Sequence, residues 1–340
     1  MFYRALKSFL LGFLLLLAVP FAGDVVFAQS GLITPPSEKT SFDSWCLTKD
    51  GSKKCYGKDY SSSSSSAQSL SAVAPQSQSA AQSRIADTLA VPQSLSSSSA
   101  QLPKWQTLPE MKAPWMNGER LEYELSWGFI TAGYATLEVK PRKDGKVEFL
   151  TFATANKTVN KFYPVHDTVY TLVRKNGLMT DVFRKSLHEG TFHNKSLIRF
   201  DRNAKKAFLS DTVFKDAVNH YVKRSADTSV TIEGLEHSIM SAFYLVRTLP
   251  LKEGATSRFS AVSGEKRYEL KVVIHKRETI KTDLGTFKTV KVEPVLDGDG
   301  IFKSSGRIFI WFTDDDKRLP VLMQCEIKLG SIKATLTKAK

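Results

Sequence analysis

The 340-residue chain has only three cysteines, which limits the sites that cysteine can form. Cys46 and Cys55 have no histidine near them in the sequence, and a structural zinc site usually needs four ligands. Their spacing around a short loop instead predicts a local disulfide that closes a small turn. Cys325 lies in an alternating apolar pattern, which predicts a small, buried hydrophobic side chain.

Long apolar runs are also scarce, and beyond residue 28 none is long enough to cross a bilayer. The one extended run, residues 10–19, follows the basic residues Arg4 and Lys7 and precedes a small-x-small cleavage pattern that ends at Ala28. This arrangement predicts a secretory signal peptide over residues 1–28, with an uncleaved membrane anchor as the alternative. No cysteine directly follows the cleavage pattern, which argues against a lipid anchor.

We therefore expect an exported protein, periplasmic or at the cell surface or secreted, with no transmembrane segment after signal cleavage. Such compartments are oxidising, so a disulfide between Cys46 and Cys55 would persist there.

Concentrated basic charge is missing as well, although Lys and Arg outnumber Asp and Glu by 48 to 34 and the net charge is +14. The chain has no long basic run and no nucleic-acid-binding motif, so no nucleic-acid partner is expected. Dispersed positive charge on an exported domain favours lipid head groups or acidic envelope polymers as partners. The alternative is that the charge serves solubility alone.

Composition divides the rest of the chain into three parts. Residues 29–60 form a small Cys-containing segment. Residues 61–101 consist mainly of Ser, Ala and Gln, with too little apolar surface to offset chain entropy, so they predict a flexible linker. Residues 102–340 form one large domain, which is long enough to bury a core of its own.

Within that domain apolar residues alternate with polar ones, as at Leu121, Tyr123 and Leu125, and turn signals separate the runs. Residues 234–250 instead place apolar side chains at helical spacing before Pro250. A dozen or so antiparallel strands and one amphipathic helix predict a mainly β fold with a strongly curved sheet. The sheet would form a closed or half-open barrel, lipocalin-like or lipoprotein-carrier-like, with the helix plugging or covering it.

Short motifs follow one another in a fixed order along this domain. They are Gly118–Glu124 with Ser126-Trp127 and Ala132-Gly133, then Ser241–Tyr244 with Arg247, Leu284–Phe287, Val292–Pro294, and Ile310–Asp315 with Arg318 and Pro320-Val321. Together they resemble the exported bacterial family called domain of unknown function 3108, over about residues 117–335. The resemblance implies a β-rich envelope domain. It implies no reaction, because the family has no assigned catalytic residues to carry over.

Two histidine motifs suggest metal binding or catalysis at first sight. His188 and His193 flank Glu189, but they are five residues apart, and in one extended segment an odd separation puts side chains on opposite faces. His166 and Asp167 are neighbours and should also point to opposite faces. No serine lies in a nucleophile-elbow pattern. We therefore predict no catalytic residue, no metal and no cofactor.

Two acidic stretches are predicted to be turns. Asp297–Phe302 lacks the further oxygen ligands of a calcium-binding EF-hand loop, and its glycines favour a turn between strands. Asp314–Asp316 lies between two apolar runs. A four-residue loop there would pair Ile310 with Val321 on one face of a hairpin.

The many aromatic residues of this domain either fill the core of the barrel or line a cavity in it, and the sequence does not separate these two alternatives. The predicted ligand-binding residues are Trp127, Phe243, Phe309, Trp311 and Leu322. The last three need cover from the helix around Phe243, or else they form an exposed patch.

The leading functional hypothesis is a non-enzymatic cell-envelope protein that binds or carries a hydrophobic or amphipathic ligand such as lipid. The alternative is an interaction module for acidic glycan, cell-wall material or a protein partner. A hydrolase is the third hypothesis, and it needs His166 or His188 beside a carboxylate.

Overall fold

The computed structural model describes residues 45–49, 52–56, 108–216, 221–297, 307–327 and 330–340. The predicted signal peptide, the predicted linker and most of the turn after Asp297 lie outside these residues and stay predictions. No helix in the described ranges is long and apolar enough to span a bilayer.

The chain divides into two compact units, of which the smaller contains the hairpin β1 (Trp45–Lys49) and β2 (Ser52–Tyr56). The two strands are antiparallel, and their register places Cys46 directly opposite Cys55. A cross-strand position of this kind suits a disulfide, because bridged Cα atoms usually lie about 5.5–6 Å apart. The bond itself stays a prediction.

The larger unit is one 14-stranded antiparallel sheet, which runs in the order β10-β9-β8-β7-β6-β5-β4-β3-β16-β15-β14-β13-β12-β11. Its strands are β3 (Glu119–Trp127), β4 (Ile130–Pro141), β5 (Lys146–Ala155), β6 (His166–Arg174), β7 (Thr180–Glu189), β8 (Phe192–Asp201), β9 (Lys206–Phe214), β10 (Val222–Thr231), β11 (Thr256–Ser263), β12 (Lys266–Thr282), β13 (Gly285–Asp297), β14 (Ile308–Thr313), β15 (Pro320–Ile327) and β16 (Gly330–Ala339). Short 3₁₀ turns lie at Pro114–Asn117 and Val159–Lys161. The mainly β prediction is confirmed.

The sheet curls into a nearly closed barrel whose two edge strands are β10 and β11. Closure is completed by the chain after β10, where His237 pairs with Ala261 of β11. His237 donates its backbone N–H to Ser260 O at 2.9 Å and accepts from Val262 N at 2.8 Å. These bonds satisfy part of an edge that would otherwise present unpaired backbone groups.

One helix, α1 (Ile239–Val246), lies inside the barrel, so the plugging arrangement is confirmed. Met240, Ala242 and Tyr244 are fully buried. The Tyr244 ring stacks on Phe149 of β5 at 3.9 Å, while Phe243 meets Phe312 of β14 at 6.0 Å. The helix therefore joins opposite walls of one core.

The helix is shorter than the apolar spacing suggested. Its N-cap is Ser238, whose side chain accepts from Ser241 N. It ends at Val246, four residues before Pro250, so the proline does not terminate it directly.

At the end of α1, the buried side chain of Arg247 binds Glu119 of β3 and the β14–β15 turn, an arrangement called the Arg247 clasp below. Its guanidinium donates to both carboxylate oxygens of Glu119 at 2.6 and 2.8 Å and to the carbonyls of Lys317 and Arg318 at 2.9 and 3.0 Å. It also lies over the Trp115 ring at 5.2 Å. A fully buried charge needs this full set of partners, because an unpaired one would be very costly.

The acidic triplet lies in the turn between β14 and β15. Asp315 Oδ1 accepts from Thr313 Oγ1 at 2.6 Å and from the backbone N–H groups of Lys317 and Arg318 at 3.1 Å each. Asp314 pairs with Arg277 at 2.7 Å. Side-chain to backbone hydrogen bonds of this kind are typical of an aspartate in a turn, so the acidic triplet forms the turn that the apolar alternation around it predicts.

The register expected for this hairpin is wrong by one residue next to the turn, where Phe312 lies opposite Pro320 and not Leu319, and by two residues beyond the bulge. Ile310 lies opposite Met323 and not Val321, and a bulge follows Trp311. The connection is longer because Thr313 closes it with Leu319: Thr313 N donates to Leu319 O at 2.9 Å. A shift of two residues leaves every side chain on its expected face, so the alternation could not detect it.

Candidate ligand-binding mouth of the barrel

One end of the barrel collects most of the exposed apolar side chains. Every neighbouring pair of strands is antiparallel, so the connections β3–β4, β5–β6, β7–β8, β9–β10, β11–β12, β13–β14 and β15–β16 share one end, here called the Phe129 mouth. Phe129 is 98% exposed at the β3–β4 tip, and Phe162 is 73% exposed in the β5–β6 connection. Ile130, Tyr221 and Val222 are exposed at the same end. At the opposite end, Leu284 is the exposed large apolar residue of the described chain.

Basic side chains accompany this apolar rim. Five exposed lysines lie in or beside the described parts of these connections: Lys157, Lys161, Lys215, Lys223 and Lys266. Asp216 and Glu265 are the acidic residues within the same described connections, and both are partly buried, while Asp167 and Glu189 lie beside them at strand ends and are buried. The Phe129 mouth therefore presents phenylalanine together with positive charge.

The β5–β6 connection, Asn156–Val165, lies at the Phe129 mouth and is called the lid below. Asn156 anchors it, because its side chain donates to Thr131 O at 2.6 Å and accepts from Val159 N at 2.8 Å. Tyr163 is buried against Gly190, whose backbone N–H donates to Pro164 O at 2.8 Å. A Cβ at Gly190 would lie 2.7 Å from the Tyr163 ring, so glycine permits this close contact. Phe162 thus projects outward from a segment whose next residue is anchored inside.

Just inside the mouth, the inner face of β6–β9 is polar. Asp167, Lys185, Glu189, Asn194 and Asp211 share that face by their register, and together they are called the acidic cluster below. Asp167, Glu189 and Asn194 are each less than 5% exposed. The corresponding face of the rest of the barrel is mainly apolar, with the Arg247 clasp and a few buried hydroxyl groups as its other polar parts.

Two acceptors of the acidic cluster have no partner among the described residues. Asp167 Oδ1 accepts from His188 N at 2.8 Å, but its Oδ2 is buried and unpartnered. Asn194 donates to Asp211 Oδ1 at 3.0 Å and to Thr212 O at 3.1 Å, while its own Oδ1 is likewise buried and unpartnered. Buried polar atoms of this kind are costly, so each of them needs an explanation.

Burial also changes the acid–base properties of the cluster. Removal from water, followed by repulsion from Glu189, raises the pKa of Asp167 well above its ordinary value. Burial lowers the pKa of Lys185, opposed by the nearby charges of Asp211, Glu189 and Asp167. Perturbed groups of opposite type side by side are typical of binding and catalytic sites.

Replacement of Asp167 by asparagine is therefore expected to stabilise the protein. Folding raises the pKa of this carboxyl above its pKa in the unfolded chain. Its contribution to stability is therefore fully present below the unfolded-state pKa, and it is lost as the pH rises towards the folded-state pKa. Between the unfolded and the folded pKa of the carboxyl, the gain should grow by up to about 1.4 kcal/mol for each pH unit. Denaturant titrations at pH 4 and pH 7 measure it. The difference in stability between the variant and the wild type should be larger at pH 7 than at pH 4. A difference that is equal or smaller at pH 7 would contradict this account.

The structure corrects the expectation for His188 and His193. They lie on two strands of one hairpin, directly opposite each other, with Nδ1 atoms 3.2 Å apart. The turn at Gly190 brings them to one face, which a single extended segment could not do. Within the described ranges, no three His, Cys, Asp or Glu side chains form a group that could hold a metal ion. His166 is exposed and Asp167 is buried, so these two do diverge as expected.

The predicted ligand-binding residues do not form one surface. Phe309 and Trp311 contact each other at 6.1 Å on the outer face, and the register places Leu322 beside Trp311. Both rings are buried under charged side chains: Lys291 lies 4.0 Å above Phe309, and Trp311 donates to Glu278 at 2.6 Å. Neither of the two alternatives expected for these rings holds: α1 lies on the other side of the sheet, and the rings are buried and form no exposed patch.

The remaining two predicted residues lie apart. Phe243 faces the core and lines a cavity of about 30 Å³ between α1 and strands β12–β14. A cavity of that size takes a few water molecules and is too small for a whole acyl chain. Trp127 lies at the end of β3, half-buried near Gly330 at the Phe129 mouth. Ligand binding by these residues stays a prediction.

A buried serine–histidine pair lies near the N-terminus of α1. Ser241 Oγ is 3.3 Å from His237 Nδ1 and 2.7 Å from Thr180 Oγ1. Ser241 is fully buried, and burial lowers the pKa of His237 to about 4. The His237 ring is also 3.2 Å from Leu178 O. These contacts fix the helix to β7 inside the core, which is a structural task.

The rim and the acidic cluster were missed by sequence reasoning, although both leave a signal. Phe129 and Ile130 form an apolar pair at the tip of a predicted hairpin, where polar turn residues are usual. Asp167 is the single acid in the inward series Asp167, Val169, Thr171 and Val173. Each is a break in a local pattern.

An antiparallel sheet that closes around one helix defines a β-barrel-like protein. The family model called protein of unknown function (DUF3108) matches residues 122–337, well over half of the chain. The chain therefore belongs to the DUF3108 family, as the motifs suggested. No curated protein matches the chain.

Solved structures show distant similarity. A β-barrel-like protein of the domain of unknown function DUF1849 from Brucella abortus shares 11% identity over 66% of this chain and 97% of its own, with a TM-score of 0.43. A protein of YmcC-like fold from Bacteroides fragilis, provisionally described as exported, shares 11% identity over 68% and 98%, with a TM-score of 0.29.

Proposed function

We propose that the protein is a non-enzymatic cell-envelope protein that binds lipid through the Phe129 mouth. The observation that carries the proposal is the concentration of exposed apolar side chains at one end of the barrel, headed by Phe129 and Phe162. Soluble proteins rarely leave large apolar residues clustered in water unless they bind something there.

The lysines at the mouth favour a lipid surface with anionic head groups. Lys157 and Lys161 lie in the same connection as Phe162, and Lys223 follows Tyr221 and Val222. Basic residues next to inserted aromatic and aliphatic side chains attract anionic lipid head groups, with about 1 kcal/mol for each basic residue near the surface. The exposed phenylalanines favour lipid over an acidic glycan, which offers sugar hydroxyls and charge but no acyl phase.

The interior supports binding at the mouth more than transport inside the barrel. The Tyr244, Phe149 and Phe312 side chains fill the core around α1. The cavity beside the helix takes a few water molecules, which is less than a whole acyl chain needs. An acyl chain would need α1 to move, and the Arg247 clasp holds the end of that helix in place.

Co-sedimentation with vesicles tests this proposal. The purified protein should bind phosphatidylcholine vesicles that contain phosphatidylglycerol and bind much less to phosphatidylcholine alone. The anionic contribution should weaken as salt rises, since exposed charges are screened beyond about 8 Å at physiological ionic strength. Binding to acidic glycan without any binding to vesicles would favour the interaction-module alternative and overturn the lipid proposal.

A further inference from the structure

The acidic cluster lies where the head group of a docked lipid would enter the barrel. A lipid in a membrane points its head group at any protein that docks on the surface, while its acyl chains stay in the bilayer. With the Phe129 mouth against the membrane, the nearest polar groups inside are those of β6–β9, and Asp167 is the second residue of β6.

We propose that the acidic cluster binds the primary ammonium of a phosphoethanolamine-type lipid head group. This inference rests on the proposed docking of the mouth on lipid, and it names the head group that the mouth selects.

Hydrogen-bond chemistry supports a donor ligand. Asn194 Oδ1 is an acceptor only, and so is Asp167 Oδ2 once that carboxyl is ionised. Both atoms are buried, and neither has a partner among the described residues. A ligand that satisfies them must bring hydrogens. A primary ammonium carries three N–H donors, whereas the quaternary ammonium of choline carries none.

Charge supports a cationic ligand. Asp211 lies 3.8 Å from Arg224, so these two charges offset each other. Asp211, Glu189 and Asp167 all act on Lys185, so three carboxyl groups face the two basic side chains Lys185 and Arg224, which leaves one carboxylate charge in excess when all three acids are ionised. One bound ammonium balances it. The head-group phosphate would remain at the rim, where Lys157 and Lys161 are exposed.

The lid provides a route into the cluster. The lid segment Asn156–Val165 contacts the β7–β8 hairpin through Tyr163 and Gly190, next to Glu189. Phe162 adjoins Tyr163 and points to solvent. Insertion of Phe162 into lipid would draw the lid away from Gly190 and open the cluster at the moment of docking.

The test compares two vesicle compositions of equal charge. Both contain the same fraction of phosphatidylglycerol, and the remainder is either phosphatidylethanolamine or phosphatidylcholine. Wild-type protein should bind the ethanolamine vesicles about tenfold more tightly, since each well-placed charged hydrogen bond contributes about 1.5–3 kcal/mol. Asp167→Asn should remove this preference, because the amide presents a donor or a neutral acceptor, yet it should keep the phosphatidylglycerol-dependent binding.

Controls separate this inference from the proposed function. Thr171→Val changes a buried inner-face residue of the same strand, four positions further in, and should keep the preference. Equal binding of wild type to both compositions would overturn the head-group site and leave the lipid-binding mouth intact. No binding to either composition would overturn both. Equally tight binding of soluble ethanolamine would overturn the assignment to a lipid and show a free amine as ligand.

Discussion

Replacing Arg247 by methionine is expected to lower the free energy of unfolding by about 3–5 kcal/mol. The substitution leaves the Glu119 carboxylate buried without its bidentate partner, and it removes the donors to Lys317 O and Arg318 O. It also removes the cation above Trp115 and Tyr244. Three parts of the chain, β3, α1 and the acidic turn, lose their common contact in one step.

Urea or guanidinium titration measures this effect, with Arg142→Met as the matched control. Arg142 pairs with Asp144 and Glu148, but its side chain is largely in water, so its loss should cost less than about 1 kcal/mol. Combining Arg247→Met with Glu119→Leu should recover part of the stability, because the buried charge is gone. Equal, small effects of Arg247→Met and Arg142→Met would show that the clasp does not hold the helix.

Replacing both Phe129 and Phe162 by serine is expected to reduce binding to anionic vesicles at least about tenfold. Full burial of one phenylalanine is worth about 1.5–3 kcal/mol, and about 1.4 kcal/mol corresponds to a factor of ten. Both side chains are exposed, so the fold should keep its stability within about 0.5 kcal/mol.

The matched control for this pair is Leu284→Ser. Leu284 is an exposed apolar residue of the β12–β13 turn, at the opposite end of the barrel. Its replacement should leave vesicle binding unchanged. If the serine pair and Leu284→Ser reduced binding equally, general surface hydrophobicity and not the Phe129 mouth would explain the interaction.

Much of this architecture follows from local sequence pattern. The two-residue period of the strands indicates which face of each strand is buried. The helical spacing of Ile239, Ala242 and Val246 predicts α1. Cys325 is fully buried, as its place in an alternating strand predicts. These inferences succeed because each depends on residues within a few positions of one another.

The sequence pattern does not predict which strands pair when they are distant along the chain. Pairing of β3 with β16 brings residues such as Leu125 and Ala334 together from opposite ends of the domain, and no local signal encodes it. The β14–β15 register fails for a related reason, since a shift of two preserves every face. The His188–His193 pair needs the turn at Gly190. The mouth exists only once the barrel closes and collects connections distant in sequence.

The most direct measurement of the account asks which end of the barrel contacts the lipid. Tryptophan is placed at Phe129 in one variant and at Leu284 in another, and quenching by brominated lipid in anionic vesicles is compared with that of wild type. The account predicts added quenching and a blue-shifted emission for Phe129→Trp and neither for Leu284→Trp. Quenching confined to Leu284→Trp, or equal in both variants, would contradict it.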